Sequence, residues 1–111
     1  MIFGGGGQTR DFVYVDDVVE ALLASATAPD VDRRIINVGS GRETSINELA
    51  SMAAETVGER ADVLRSPAES GGVARLCADI AAARRLLGYE PRVNLREGLR
   101  RTVKGDPRFG A

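Results

Sequence analysis

The hydrophobic residues of this chain recur at helical spacing in four separate stretches. Apolar side chains three and four positions apart share one face of an α-helix, so each stretch predicts a helix that buries a single stripe. The four stripes consist of Val18, Val19, Leu22, Leu23 and Ala26; of Ile46, Leu49, Ala50, Ala53 and Val57; of Ile80, Ala83 and Leu87; and of Leu95, Leu99 and Val103.

Polar and turn-forming residues mark the ends of the same four helices. Ser45 with Glu48, and Asn94 with Glu97, have the spacing of a capping box, in which polar side chains satisfy the first N–H groups of a helix. Glycine accepts the left-handed conformation that commonly closes a helix. The other predicted boundaries are the caps Asp16 and Asp79 and the stops Pro29, Gly58 and Gly88.

Short β-prone runs between these helices predict strands at residues 12–15, 35–38, 62–64 and 73–78. Strands that alternate with helices indicate the α/β class. We therefore expect one small α/β domain over residues 1–111, with about four helices and three or four short strands. So few strands cannot cover four amphipathic helices, and the domain is expected to be incomplete.

Composition and charge exclude several functions. The chain has 111 residues, is 43% hydrophobic and carries a formal charge of −1, with its basic residues scattered, so no nucleic-acid partner is expected. It shows neither a membrane-length apolar run nor a signal peptide, which favours the cytoplasm. With Cys77 the only cysteine and no histidine, no metal site is expected, and Cys77 is predicted to be a buried structural thiol.

Four motifs in a fixed order resemble a known family. The chain is similar to extended short-chain dehydrogenase/reductase enzymes, which include UDP-glucose 4-epimerase and dTDP-glucose dehydratase. The motifs that carry the resemblance are Phe3-Gly4 followed by Gln8-Thr9-Arg10-Asp11-Phe12-Val13-Tyr14-Val15-Asp16-Asp17-Val18, then Asn37-Val38-Gly39-Ser40-Gly41, then Ala78-Asp79-Ile80 leading to Leu86-Leu87-Gly88-Tyr89-Glu90-Pro91, and finally Glu97-Gly98-Leu99.

The resemblance implies that this chain corresponds to the C-terminal substrate-binding region, roughly the last third of a family enzyme. The N-terminal Rossmann domain, with its glycine-rich NAD loop, would be absent, and so would the catalytic Tyr-x-x-x-Lys pair. Neither Tyr14 nor Tyr89 has a lysine four positions later, and Lys104 is the only lysine. We therefore expect no catalytic residues, no cofactor-binding residues and no catalytic competence in this chain alone.

The glycine run at positions 4–7 is not expected to bind a dinucleotide. A dinucleotide turn needs a strand before it and a helix after it, because the helix N-terminus receives the pyrophosphate. Here only residues 1–3 precede the run, and the segment that follows is β-prone. A flexible turn is the preferred interpretation.

Arg10 is the leading candidate for substrate binding, with Gln8 in the same motif. The resemblance implies that the matching arginine contacts the phosphates of a nucleotide sugar, a task that suits a guanidinium. The alternative is an ordinary ion pair with Asp11 or a nearby carboxylate. Both interpretations are open at the level of the sequence.

A second phosphate-binding arginine of the family is missing. The family usually carries Pro-x-Arg-x-Gly-Asp where this chain has residues 67–72, with Glu69 in place of the arginine and Gly72 in place of the aspartate. A carboxylate repels a diphosphate. Arg75, three residues beyond this segment, could supply the missing charge and is included as a third candidate substrate-binding residue, although a solvated side chain is the simpler interpretation.

Three hypotheses follow for function. In the first, the chain is a truncated nucleotide-sugar-binding portion of an NAD-dependent epimerase or dehydratase. In the second, it is a self-associating interaction module, for example a homodimer, because exposed apolar surface favours association. In the third, it is one half of a split enzyme whose partner supplies the missing N-terminal half.

Overall fold

Four α-helices make up most of the described structure. The computed structural model describes residues 2–3, 5–58, 65–66 and 73–109. All four helices predicted from the apolar spacing are present, and a short 3-10 helix, Pro107–Phe109, follows the last of them. The helices are α1 (Val15–Thr27), α2 (Ile46–Val57), α3 (Ala81–Leu87) and α4 (Leu95–Gly105).

Two pairs of very short strands accompany the helices. The described strands are β1 (Ile2–Phe3), β2 (Thr9–Arg10), β3 (Thr44–Ser45) and β4 (Arg65–Ser66). β1 pairs with β4 in parallel, whereas β2 pairs with β3 in antiparallel register, with Thr9 opposite Ser45. The predicted mixed α/β fold, with about four helices and a few short strands, is confirmed.

The positions of the predicted strands are largely wrong. Residues 12–15 do not form a strand, because α1 begins at Val15 and residues 12–14 are irregular. Residues 35–38 and 73–78 are not assigned as strands either, although the second segment forms two backbone hydrogen bonds to Thr9 of β2. The predicted strand at residues 62–64 lies outside the described residues. An apolar run shows that a segment can form a strand, but a strand also needs a neighbour, which is set by distant parts of the chain.

The predicted helix boundaries are mostly correct, because capping depends on residues close in sequence. The side chains of Ser45 and Asn94 accept hydrogen bonds from the backbone N–H three residues later, at 3.1 Å and 2.8 Å. Gly58 and Gly88 end α2 and α3 in the left-handed conformation, with φ of 74° and 64°. Asp16 is an exception: it lies inside the first turn of α1 and does not cap it.

The core is small and lies between α1 and α3. Its buried residues are Ala21 from α1, Ile80 and Ala83 at the start of α3, and Tyr89 after it. Among the described residues no large side chain is fully buried. Partly buried side chains that pack on this cluster are Ile36, Val38, Ala78 and Leu87. None of the described helices combines the length and apolar character needed to cross a membrane.

Asp17 joins the first turn of α1 to the segment before α4. Asp17 is only 3% exposed. Its two carboxylate oxygens accept hydrogen bonds from the backbone N–H of Arg92 at 3.0 Å and of Val93 at 3.1 Å. A buried carboxylate is tolerated only when it is hydrogen-bonded in this way. Asp17 therefore fixes where α4 begins relative to α1.

Replacing Asp17 with asparagine should destabilise the fold. The amide can accept only through its single oxygen, and its NH₂ group would face a backbone N–H, so one buried donor loses its partner. We expect the free energy of unfolding to fall by about 1–3 kcal/mol. Urea unfolding followed by circular dichroism measures the change.

Asp16→Asn is the matched control, because the Asp16 carboxylate is 65% exposed and its nearest cation, Arg101, lies 3.8 Å away. This variant should change stability by no more than about 0.5 kcal/mol. Equal effects of the two substitutions would contradict the role assigned to Asp17.

Candidate functional site

The candidate site is built around β2 and two segments that flank it. β3 lies on one side of β2, and residues 73–76 lie on the other. Thr9 N donates to Ala74 O at 2.8 Å, and Leu76 N donates to Thr9 O at 3.2 Å. The three segments thus form a small patch that carries two of the three predicted binding residues, Arg10 and Arg75.

The guanidinium of Arg10 is held by backbone carbonyls. Its Nη1 donates to Thr9 O and to Val73 O, both at 2.6 Å. Among the described residues no carboxylate forms an ion pair with Arg10, so the alternative of pairing with Asp11 is not observed. Within the described part of the chain, the positive charge is thus fixed by carbonyls and paired with no carboxylate, and Nε and Nη2 have no protein acceptor.

Arg75 is paired with a carboxylate that the sequence did not single out. Its Nε and Nη2 donate to Glu43 Oε1 at 2.8 Å and Oε2 at 2.7 Å, and the hydroxyl of Thr9 donates to Oε1 at 2.8 Å. Hydrogen bonds from Arg75 and then Thr9 lower the pKa of Glu43 to about 2. Arg75 is therefore bound to a carboxylate that is ionised at neutral pH.

Arg10 and Arg75 lie on opposite faces of this patch. Successive residues of a strand project to opposite faces. Thr9 and Arg75 both contact Glu43 through their side chains, so they share one face, which we call the Glu43 face. Arg10 follows Thr9 in β2 and leaves from the other face, the Arg10 face. The two arginines therefore do not form one clamp.

Asp11 connects β2 to two distant loops. It accepts hydrogen bonds from Ser40 N at 2.8 Å, Ser40 Oγ at 2.5 Å, Gly41 N at 3.0 Å and Ala78 N at 3.1 Å. Burial alone would raise the pKa of Asp11, but the bonds from the Ser40 hydroxyl and the three backbone N–H groups outweigh it and hold the pKa below its ordinary value. The carboxylate is thus committed to structure.

The close approach around Asp11 requires glycine at position 39. A Cβ there would lie 2.7 Å from Asp11 Oδ2 and 2.8 Å from Ala78 Cβ, distances too short for any side chain. The carbonyl of Gly39 also accepts a 2.7 Å hydrogen bond from the hydroxyl of Tyr89. Burial raises the pKa of Tyr89, so this phenol is a structural donor at neutral pH.

The last motif joins the others through Tyr14. A Cβ at Gly98, in α4, would lie 3.2 Å from Tyr14 Cδ1, so glycine lets the helix approach this ring closely. Arg101, one turn later, stands 5.7 Å from the centroid of the same ring. Together with the bonds of Asp11 and Asp17, these contacts bring all four ordered motifs into one structure.

The glycine run and Gln8 lie against the start of α2. Gly6 has φ of 73°, and a Cβ there would lie 2.3 Å from Asn47 Oδ1. Asn47 Nδ2 donates to Gly5 O at 2.9 Å, and Ile46 N donates to Gln8 O at 3.0 Å. Residues 5–8 therefore pack on the start of α2, through Asn47 and Ile46, and lead into β2.

Cys77 corrects one sequence-based expectation. It was predicted to be buried, but it is exposed, because the core begins one residue later with Ala78. Desolvation and the nearby charges of Asp11 and Glu43 raise the pKa of the thiol, which disfavours the reactive thiolate. In the described part of the chain, no group of three or more Cys, Asp or Glu residues is arranged to hold a metal ion.

Some predicted features fall outside the described residues. Glu69 and Gly72, the two departures from the family's phosphate-binding segment, belong to residues 67–72, of which the structure describes nothing. Glu43 carried no motif that would have identified it, since its partner Arg75 is 32 residues away. Asp11 was part of a motif, but its role as a connector depends on contacts 29 and 67 residues distant.

This chain is similar in sequence to proteins of a known family. The family model described as GDP-mannose 4,6 dehydratase matches residues 1–102. A putative UDP-glucose 4-epimerase of Methanocaldococcus jannaschii is 42% identical over 103 residues, which are 93% of this chain and 32% of that protein.

Two solved structures are similar in fold. The UDP-glucose 4-epimerase of Thermotoga maritima, determined with UDP-glucose, has a TM-score of 0.85 and 40% identity over 93% of this chain and 33% of its own. The UDP-glucuronic acid 4-epimerase of Bacillus cereus, determined with NAD, has a TM-score of 0.77 and 34% identity over 89% of this chain and 31% of its own.

The fold and its four joined motifs match the C-terminal region of proteins named as nucleotide-sugar epimerases. The chain belongs to the GDP-mannose 4,6 dehydratase family, whose model matches nearly all of it. It spans about a third of the length of the relatives that it matches.

The network around Asp11 should make stability depend on acid pH. Because the pKa of Asp11 is lower in the folded protein than in the unfolded chain, its contribution is complete above about pH 4 and is lost as the pH falls through the folded value. Asp11→Asn should lower the free energy of unfolding at pH 7 by about 1–2 kcal/mol, allowing for partial exposure. The difference in free energy of unfolding between the wild type and Asp11→Asn should become smaller below pH 4.

Urea unfolding at a series of pH values from 7 to 3 measures this difference. Asp32→Asn is the control, because Asp32 is exposed and accepts no hydrogen bond within the described residues. A gap between wild type and Asp11→Asn that stays constant down to pH 3 would show that the carboxylate charge does not stabilise the loops.

Proposed function

We propose that this chain supplies nucleotide-sugar contacts of an NAD-dependent epimerase or dehydratase, and that Arg10 binds the phosphates. One observation carries the proposal: Arg10 is a positive charge that is fixed by two carbonyls, yet is paired with no described carboxylate. A guanidinium in this state still offers Nε and Nη2 as a two-pronged donor, which matches two oxygens of a phosphate. The Thermotoga relative that this chain resembles was solved with UDP-glucose.

The role proposed for the chain is binding and orientation of substrate, without proton or hydride transfer. Tyr89 donates its hydroxyl to a backbone carbonyl, and Lys104, the only lysine, is an exposed residue of α4. Proton transfer needs an acid and a base within reach of the reacting atom. We therefore propose that NAD and the acid-base pair are supplied from outside this chain, and that the chain is not catalytically competent alone.

Gln8 and Arg75 have different places in this proposal. Gln8 lies two residues before Arg10, and we retain it as a candidate contact to the nucleotide sugar. Arg75 is held by Glu43 on the opposite face, so its contribution to phosphate binding should be smaller than that of Arg10.

Calorimetric titration of the chain with UDP-glucose and other UDP- and dTDP-sugars tests the proposal. Arg10→Ala should weaken binding roughly 10- to 150-fold, as expected when a hydrogen-bonded charge worth about 1.5–3 kcal/mol is removed. Arg84→Ala, which removes an exposed arginine paired with Glu90 on α3, is the matched control and should bind normally. Absence of binding across the sugar panel, or equal losses in both variants, would contradict the proposal.

A second candidate function, assembly, is favoured by exposed apolar residues on α1. Val15, Leu22 and Leu23 are 61%, 64% and 64% exposed, although helices of a folded domain normally bury such a stripe. The partner would be either a second copy of the chain or a separately encoded half of the enzyme. The two forms predict different masses for the isolated chain in solution: a second copy doubles the mass, whereas a different partner leaves it unchanged.

Light scattering distinguishes the two forms. Self-association predicts a mass of twice 11.8 kDa that returns to the monomer value in Leu23→Lys. In that variant the charge would have to be buried in the dimer interface, whereas it is exposed in the monomer. A monomer at millimolar concentration would exclude self-association and leave only the form with a different partner.

A further inference from the structure

The guanidinium of Arg10 is held in part by a segment that is itself exposed. One of the two carbonyls that accept from Arg10 Nη1 belongs to Val73, at 2.6 Å, at the start of residues 73–76. All four residues of this segment are exposed, Val73 by 59% and Leu76 by 54%. Because so little apolar area is removed from water there, packing contributes little to the position of the segment, and polar contacts must set it.

Two backbone hydrogen bonds and one ion pair hold residues 73–76 in place. The backbone bonds join the segment to Thr9 of β2, at 2.8 Å and 3.2 Å. The ion pair is the two-pronged contact of Arg75 with Glu43, at 2.8 Å and 2.7 Å. Arg75 is the one polar side chain of the segment, so this pair is the contact that fastens the segment through a side chain.

The carboxylate of Glu43 is also tied to β2 and adjoins β3. The hydroxyl of Thr9 donates to Glu43 Oε1 at 2.8 Å, so one carboxylate bridges β2 and residues 73–76. In sequence, Glu43 comes directly before Thr44, the residue of β3 that lies opposite Arg10. Glu43 therefore joins three segments around Arg10, and it does so from the face opposite to the Arg10 side chain.

We propose that Glu43, through Arg75, is a positioning residue for the guanidinium of Arg10. The ion pair holds residues 73–76 against β2, and this keeps Val73 O where it accepts from Arg10 Nη1. The Nε and Nη2 groups of Arg10 are then already oriented before a phosphate arrives. Without the pair, the long side chain of Arg10 regains rotamer freedom and must be ordered again on binding.

The consequence for substrate rests on the proposed function, in which Arg10 binds the phosphates of a nucleotide sugar. Glu43 is an anion, and by its charge alone it would repel a phosphate and weaken binding. A positioning role has the opposite sign, because it strengthens binding through Arg10. The direction in which affinity changes when Glu43 is neutralised therefore separates the two effects.

The variant Glu43→Gln tests this direction. The amide has the shape of the carboxylate but carries no charge and cannot form the two-pronged ion pair with Arg75. In calorimetric titration with UDP-glucose, affinity should fall about three- to tenfold, the usual cost of ordering one long side chain on binding. Unchanged or increased affinity would overturn the proposal.

Glu90→Gln is the matched control. Glu90 receives Nε and Nη2 of Arg84 in the same two-pronged manner, but within the described residues this pair joins α3 to the residues after it and bonds to neither β2 nor residues 73–76. The control should bind UDP-glucose as the wild type does. Equal losses in the two glutamine variants would show a general effect of losing an ion pair and would overturn the positioning role.

A double-mutant cycle with Arg10 tests whether Glu43 acts through that residue. In the Arg10→Ala background, Glu43→Gln should cause no further loss of affinity, because the side chain that it positions is gone. UDP-glucose affinities of the two single variants and the double variant give the coupling. Losses that multiply would show that Glu43 affects the substrate by another route and would overturn the proposal.

The mobility of the Arg10 side chain tests the link without any ligand. The Nε–H group of Arg10 gives a nitrogen NMR signal that is identified by its disappearance in Arg10→Ala. Its order parameter should fall in Glu43→Gln and stay at the wild-type value in Glu90→Gln. An unchanged value in Glu43→Gln would overturn the positioning role. Failure of the wild type to bind nucleotide sugars would instead contradict the proposed function and leave this comparison intact, so the two failures are distinguishable.

Discussion

The hydrogen bonding of the Asp11 carboxylate is the interaction on which the rest of this structure depends. One side chain, adjacent to β2, receives the N–H groups of Ser40, Gly41 and Ala78 and the hydroxyl of Ser40. These donors come from segments that are far apart in sequence, and the core of buried apolar residues between them is small. In a domain with so little buried apolar area, polar contacts of this kind decide the relative positions of the loops.

The same arrangement decides which arginine is available to a ligand. Arg10 belongs to β2 and Arg75 to the segment beside it. Glu43 neutralises Arg75 on one face, whereas Arg10 on the other face is held by carbonyl oxygens and pairs with no carboxylate among the described residues. An anion that approaches the Arg10 face meets a fixed positive charge. On the Glu43 face it meets a carboxylate whose pKa is about 2. The electrostatic difference between two faces of a small patch thus underlies the proposed substrate contact.

Exposed apolar surface is concentrated where the helix α1 and residues 35–38 meet. The core lies on the inner side of this unit, with Ala21 and Ile36, while Leu22 and Ile35 face outward. A helix followed by a strand-like segment is a unit of α/β architecture that normally lies on a sheet.

The sequence by itself determined the features that depend on nearby residues. These are the four helices, the caps Ser45 and Asn94, the left-handed stops Gly58 and Gly88, and the four ordered motifs that indicated the family. Only the tertiary structure decided which segments pair as strands. It also decided that Asp11 bonds to the loops instead of pairing with Arg10, and that Arg75 pairs with Glu43 on the face opposite to Arg10. The physical reason is that capping and helical spacing act within one or two turns. Strand pairing and ion pairing, in contrast, join residues whose distance in sequence carries no information about their distance in space.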